Sequence, residues 1–371
     1  MNPPHLTFMQ LALDLARRGE GRTRPNPPVG AVVVRQGSVV GSGFHPAAGE
    51  PHAEIFALRQ AGELARGADL YVTLEPCSHV GRTGPCCEAV IAAGIARVFV
   101  GVIDPNPLVA GRGLERLRSA GILVETDLLA EECRWLIAPF AKHVSCGLPH
   151  VTLKAALTLD GNIATSAGES RWITGPASRE RVHRLRDQSD AILVGIGTVL
   201  SDNPSLTTRL PEGGGRDPLR VVVDSRLLTP DDATIVTSAV TIPTLIATTT
   251  GAPEGKAQRL RQLGVEVIRI DGPDDVVELN GLMRSLGDRG LQRILLEGGS
   301  RLNSAAWKAG VVDRVMLFFA PLLLGGRGIG IFAGSGVEFL GDAVRLSPLR
   351  MERMGDDMLI EGEVVRACSP V

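Results

Sequence analysis

Apolar and polar positions follow two periods along this chain, and the switches between them mark its elements. Phe8, Leu11, Ala12, Leu15 and Ala16 recur at helical spacing. Thr7 and Gln10 have the form of a capping box for that helix, and Arg17, Arg18 and Gly19 close it. Pro25-Asn26-Pro27-Pro28 is a loop, and the runs 29–34 and 38–42 around Gln36-Gly37 read as a hairpin. His52 and Glu54 open a helix to about Ala65, and residues 70–74 form a short buried strand ending at Glu75-Pro76-Cys77. A helix starts at Cys86, and the segments 97–102 and 123–125 are further strands. The pattern breaks at Cys146-Gly147-Leu148-Pro149 and then restarts. Strand runs follow at 151–157, 191–194, 219–223, 244–248, 265–270, 293–296 and 315–320, separated by helical or loop stretches. The expected fold is α/β in two domains, 1–146 and 148–371, with no internal repeat linking them. Pro211-Glu212-Gly213-Gly214-Gly215 reads as a surface loop.

Composition narrows the functions available. The 371 residues carry a formal net charge of −2, so there is no global basic field to attract nucleic acid. One Tyr and three Trp are a thin supply for stacking single-stranded bases. Six cysteines in a chain this long do not make a disulfide framework. No charged start followed by an apolar run and a small-residue cleavage site opens the chain. The longest strongly apolar run, 315–324, contains Pro321 and is about half a membrane span. The expectation is a cytoplasmic protein with neither membrane nor nucleic-acid partners.

The strongest chemical signal is the ordered set His52-Ala53-Glu54, Pro76-Cys77 and Pro85-Cys86. His52, Cys77 and Cys86 supply three zinc ligands, and three protein ligands leave the fourth tetrahedral position open, the catalytic arrangement. Glu54, two residues from the first ligand, suits the proton shuttle that such chemistry needs. His-x-Glu followed by Pro-Cys is the signature of zinc deaminases acting on nucleobase rings. The usual pattern separates its two cysteines by two residues, whereas here residues 78–85 lie between them. That insert, with His79, Gly81, Arg82 and Gly84, is a basic turn suited to an anionic substrate. Cys87 competes with Cys86 for the metal; Cys86 is preferred because it follows a proline as Cys77 does.

The second half lacks a G-x-G-x-x-G fingerprint, so a Rossmann dinucleotide fold is not supported. It does carry Glu297-Gly298-Gly299-Ser300 after a strand, a turn whose amides suit a phosphate. Thr198 and Arg209 are further phosphate candidates, and Asp202 suits a polar ring or an acid role. Lys154 sits on an otherwise apolar strand, where burial calls for an anionic partner.

Together these motifs resemble the bifunctional deaminase-reductase family of riboflavin biosynthesis. The resemblance covers nearly the whole chain. It rests on Asn26-Pro27-Pro28-Val29-Gly30, His52-Ala53-Glu54, Glu75-Pro76-Cys77 through Gly81-Arg82-Thr83 to Cys86, and Asp104-Pro105-Asn106-Pro107. In the second half it rests on Leu153-Lys154 with Leu159-Asp160-Gly161, Ser170-Arg171-Trp172-Ile173-Thr174, Gly197-Thr198-Val199 with Asp202-Asn203-Pro204, and Glu297-Gly298-Gly299. The long cysteine spacing is what this family looks like. Gly84 stands where the family has a second proline, and Cys87 is a less usual neighbour.

The resemblance implies a cytidine-deaminase-like α/β/α domain over 1–146 and a dihydrofolate-reductase-like α/β domain over 148–371. The first would use zinc to deaminate 2,5-diamino-6-(ribosylamino)pyrimidinone 5′-phosphate; the second would use NADPH to reduce the product's ribosyl group to ribityl. It places Asn26, His45, His79 and Arg82 around the pyrimidine, with Glu54 catalytic. Lys154, Ala156, Trp172, Thr198, Asp202, Ser225, Gly299, Ser300, Arg301, Leu302 and Asn303 are then cofactor contacts. Ser170, Arg186, Leu206, Arg209 and Glu297 are reductase-substrate contacts. Small pyrimidine ribosyl phosphates are the expected partners, and a homo-oligomer the expected assembly. The rival readings are a zinc deaminase acting on nucleic acid, a structural zinc module with Cys87 as fourth ligand, and a chain that keeps one activity only.

Overall fold

The structure, a computed structural model, describes residues 3–78, 84–107 and 109–365. The chain divides into two compact units, Met1–Gly147 and Leu148–Val371. Gly147, at the end of the first unit, closes its last helix with φ of 71°.

The first unit runs α1 (Pro3–Arg17), β1 (Gly30–Arg35), β2 (Ser38–Phe44), α2 (Ala53–Ala61), β3 (Asp69–Leu74), α3 (Cys86–Ala92), β4 (Arg97–Val102), α4 (Arg112–Ser119), β5 (Leu123–Glu125) and α5 (Ala130–Cys146). Its sheet has the order β2-β1-β3-β4-β5. β1 pairs antiparallel with β2 and β3, and β3, β4 and β5 run parallel. Both faces are covered, which is why β1 reads as a continuous apolar run. Ala31 and Val33 meet α2, α3 and α4 on one face, whereas Val32 and Val34 meet α1 and α5 on the other. α2 lies close over the β2 hairpin arm: a Cβ at Gly41 would come within 2.1 Å of the Ala57 carbonyl oxygen. Two expectations are corrected. Thr7 lies inside α1, which starts at Pro3, so the capping box does not open the helix. α2 stops at Ala61, because Gly62 takes φ of 53° and a short 3₁₀ turn, Gly62–Ala65, follows.

The second unit runs β6 (His150–Thr158), β7 (Asn162–Ala164), α6 (Pro176–Gln188), β8 (Ala191–Gly195), α7 (Ile196–Asp202), β9 (Leu219–Val223), α8 (Thr234–Thr237), β10 (Thr244–Thr248), α9 (Glu254–Gln262), β11 (Glu266–Arg269), α10 (Leu279–Asp288), β12 (Arg293–Leu296), α11 (Ser300–Lys308), β13 (Arg314–Ala320), β14 (Ile329–Gly330), β15 (Arg345–Met354) and β16 (Asp357–Val365). Its nine-stranded sheet has the order β11-β10-β9-β8-β12-β6-β13-β16-β15. The strands from β11 to β13 are parallel, and β16 and β15 add an antiparallel edge. Ala191 and Leu193 of β8 pack with α10 and α11, while Ile192 and Val194 pack with α7, α8 and α9. α6 rests through Val182 on Met316, Phe318 and Leu359. The carboxyl ends of β8, β12 and β6 therefore lie side by side, the usual position for a ligand in a parallel sheet. No helix among the described residues is long and apolar enough to cross a membrane.

Candidate active sites

In the first unit three element ends meet. His52 precedes α2, Cys77 follows β3, and Cys86 opens α3. His52 Nδ1 lies 3.2 Å from Cys86 Sγ and 3.6 Å from Cys77 Sγ, and the three ligand atoms all fall within 4.8 Å of one another. One tetrahedral zinc ion needs ligand separations of about 3.5–3.8 Å, from Zn–S of about 2.3 Å and Zn–N of about 2.0 Å. The Cys86 amide donates to Cys77 Sγ at 3.3 Å, and the hydrogen bond from the Cys86 sulfur holds the Cys77 thiol pKa well below its ordinary value. Cys87 is buried and points elsewhere: its thiol donates to the Cys77 carbonyl at 2.9 Å and the Pro76 carbonyl at 3.3 Å. Among the described residues no fourth ligand joins the cluster.

Glu54 lies in the first turn of α2, 3% exposed, and its Oε2 has no hydrogen-bond partner. An orphaned buried carboxylate oxygen beside three convergent ligand atoms fits a metal-held group that is itself a hydrogen-bond donor. Burial pushes the Glu54 carboxyl up to about 7, and the Cys77 charge adds to it. A group near neutrality both takes and returns a proton readily. His45 is buried beside His52, its ring edge-on at 5.2 Å between centroids. Its Nδ1 donates to the Pro51 carbonyl at 3.1 Å, which leaves Nε2 to accept from the Asn26 amide at 3.1 Å. Burial holds the His45 pKa below its ordinary value. Asn26, His45 and His52 thus form one connected group, whereas His79 and Arg82 lie outside the described residues.

In the second unit Lys154 of β6, Glu297 after β12 and Arg186 of α6 form a buried ionic cluster. Arg186 grips Glu297 through Nε at 2.7 Å and Nη2 at 3.0 Å, and donates from Nη1 to the Thr207 carbonyl at 3.0 Å. Lys154 Nζ stands 3.7 Å from Glu297, the anionic partner its burial requires. Burial alone would raise the Glu297 carboxyl, but the Arg186 and Lys154 charges outweigh it and hold it down at about 2. Burial lowers Lys154, partly offset by Glu297. His183, three residues before Arg186 on the same helix, accepts from the Arg209 amide at 3.2 Å. Only its helical spacing from Arg186 marks it in the sequence.

The remaining sequence-predicted residues divide by exposure. Gly299, Ser300 and Arg301 enter α11, which has no side-chain cap, so its first-turn amides are open to an anion. A Cβ at Gly197 or Gly299 would meet nothing within 4 Å. Thr198 and Asp202 lie half-buried on α7, and the Asp202 carbonyl accepts from Arg171 at 3.1 Å. Ala156 is half-buried on β6 and Ser170 half-buried in the loop after β7. Trp172 is exposed, with the Arg179 guanidinium 4.9 Å over its ring, a pairing the sequence did not announce. Ser225 Oγ accepts from the Val277 amide at 3.0 Å. Asn303 is fully buried and donates to the Ile331 carbonyl at 3.2 Å. The side chains of Leu206 and Leu302 pack into the core, so a ligand contact there runs through backbone.

Residues 3–102 match the family model of the cytidine and deoxycytidylate deaminase zinc-binding region, and residues 149–360 match that of the RibD C-terminal domain. Fold, metal-ligand geometry and these matches define a zinc deaminase joined in one chain to an α/β reductase. The chain belongs to the RibD family of riboflavin biosynthesis proteins. It is 44% identical to the riboflavin biosynthesis protein RibD of Bacillus amyloliquefaciens, over 95% of this chain and 94% of that one. A solved RibD structure from Acinetobacter baumannii superposes with a TM-score of 0.82 at 37% identity, covering 98% of this chain and 99% of that chain. A Thermotoga maritima structure described as a diaminohydroxyphosphoribosylaminopyrimidine deaminase/5-amino-6-(5-phosphoribosylamino)uracil reductase gives 0.83 at 36%, covering 98% and 99%. The protein is a bifunctional enzyme of riboflavin biosynthesis, a deaminase and a reductase, with zinc and NADPH as cofactors.

Proposed function

We propose that the first unit removes the exocyclic amine of 2,5-diamino-6-(ribosylamino)pyrimidinone 5′-phosphate as ammonia, and that the second reduces the ribosyl group of the product to ribityl. The convergence of His52, Cys77 and Cys86 beside the unpartnered Oε2 of Glu54 carries this reading. His52, Cys77 and Cys86 would hold the zinc ion, which would supply the acidity that activates a water molecule. Glu54 takes the proton from the attacking water at Oε2 and returns it to the departing amine. Asn26 and neutral His45 wall the pyrimidine, with His79 and Arg82 assigned to the same ligand by resemblance.

In the second unit the turn at Gly299 and the residues Ser300 to Asn303, with Lys154, Ala156, Trp172, Thr198, Asp202 and Ser225, take the dinucleotide. Ser170, Arg186, Leu206, Arg209 and Glu297 take the pyrimidine product, Arg209 meeting its 5′-phosphate. The activities divide at the 1–146 and 148–371 boundary. The net charge of −2 and scarce aromatics favour small-molecule over nucleic-acid substrates, in a cytoplasmic setting. Edge strand β15, with Leu349 and Met351 exposed, supports a homo-oligomer.

Glu54→Gln tests the assignment. The amide is nearly isosteric but shuttles no proton, a role worth about 10²–10⁴ in rate. The variant keeps one zinc per chain by metal analysis, loses deamination, and still oxidises NADPH when given the deaminated substrate. Full deaminase activity in the zinc-loaded variant removes Glu54 from the mechanism.

A further inference from the structure

Glu75 stands two residues before the ligand Cys77, and backbone amides occupy its carboxylate. The side chain is 3% exposed. Oε1 accepts from Gly113 at 2.8 Å and Leu114 at 3.3 Å; Oε2 accepts from Gly111 at 2.9 Å and Asp104 at 3.1 Å. Gly111, Gly113 and Leu114 form the entry to α4, so a carboxylate distant in sequence caps that helix and meets the positive end of its dipole. The approach is close: a Cβ at Gly113 would come within 2.1 Å of the Pro76 carbonyl oxygen. Cys87 completes the tie, its amide donating to the Cys77 carbonyl at 3.2 Å and its thiol to the Cys77 and Pro76 carbonyls. The backbone that presents Cys77 is thus held by α4 through Glu75 and by α3 through Cys87.

We propose that Glu75 is a positioning residue of the deaminase: its carboxylate couples the entry of α4 to the ligand Cys77, so that bound zinc and the backbone at Asp104 and at 111–114 stabilise one another. The proposal rests on the zinc centre described above. Charge-assisted bonds to one carboxylate are strong and directional, and groups that orient a metal ligand change metal affinity or activity by about 10–100-fold. Coupling of this kind is reciprocal: whatever factor the ordered segment adds to zinc affinity, zinc adds to the order of the segment.

The test uses the full-length zinc-loaded protein and the same protein after chelation. Hydrogen exchange is followed by mass spectrometry in peptides covering 104–114, with peptides from α10 in the other unit as the control. Chelation speeds exchange in 104–114 about tenfold or more and leaves α10 unchanged. Glu75→Gln turns an amide nitrogen toward donors from which it cannot accept. That variant releases zinc to a colorimetric chelator about 10–100-fold faster than wild type. In cobalt-substituted protein it moves the thiolate-to-cobalt absorption band, and the reductase KM stays unchanged. Exchange in 104–114 that ignores zinc overturns the proposal, and it does so without any variant having to fold. Zinc release from folded Glu75→Gln at the wild-type rate overturns it equally. A chain that binds no zinc at all overturns the metal centre and the proposal with it.

Discussion

Replacing Glu297 by Gln measures how far the reductase unit depends on its buried ionic cluster. The side chains of Glu297, Arg186 and Lys154 are 12%, 13% and 15% exposed, so water screens them little. Burial would raise the Glu297 carboxyl, yet Arg186 and Lys154 hold it at about 2 against an ordinary value of 4.5. At about 1.4 kcal/mol per pH unit, that depression corresponds to about 3 kcal/mol of folding stability. Removing one partner of a buried pair costs about 3–5 kcal/mol, and the lower end agrees with that figure. In a unit spanning Leu148–Val371, each kcal/mol moves the melting point by about 2–4 °C, so Glu297→Gln lowers it by about 6–12 °C. The assay is scanning calorimetry, with the reductase transition identified as the one that NADPH raises. The folded pKa lies below the unfolded one, so the contribution is whole above pH about 4.5 and is lost as pH falls toward 2. The gap between wild type and variant is therefore constant from pH 6 to 8 and narrows in acid. A variant within about 1 °C of wild type at pH 7, or a gap that widens in acid, refutes the reasoning.

Three further outcomes are expected. Cys86→Ser loses zinc in metal analysis while Cys87→Ser keeps it, because only the Cys86 sulfur joins His52 and Cys77; the opposite result reverses the ligand choice. Arg209→Ala weakens binding of the reductase's pyrimidine substrate by about 2–3 kcal/mol, Arg209→Lys by less, and neither moves the KM for NADPH. Selective loss of NADPH affinity would place Arg209 on the cofactor instead. Residues 1–147 and 148–371, expressed separately, each fold by circular dichroism and each keep one activity; two insoluble fragments would count against the division.

Much of this was legible in the sequence where chemistry and period coincide. The set His52, Glu54, Cys77 and Cys86 announces itself because each residue sits at the start of a helix or the end of a strand. The strands of the parallel sheets stand out as apolar runs because both faces are covered. The antiparallel pair β15 and β16 does not, since β15 is largely exposed and its alternation is weak. α5 hides behind Pro139, a residue that normally argues against a helix interior. The grip of Arg186 on Glu297 spans 111 positions and exists only once the sheet has formed. Leu206 shows the opposite case: in a motif of polar ligand candidates, its side chain turns into the core.

The strand order of the second unit bears on how the chain is made. β12 lies between β8 and β6, although it is synthesised after β9, β10 and β11. The strands that emerge first from the ribosome therefore cannot meet until a late insert arrives to join them. Closing such distant pairings carries a loop-entropy cost before any contact rewards it. The first unit has no such delay, because its sheet from β1 to β5 and its last helix, α5, are complete by Gly147. During translation the deaminase can thus be folded and metal-loaded while the reductase is still an open half-sheet. In that interval the edges of β6 and β8 that β12 will cover lie unpaired and open to misassembly.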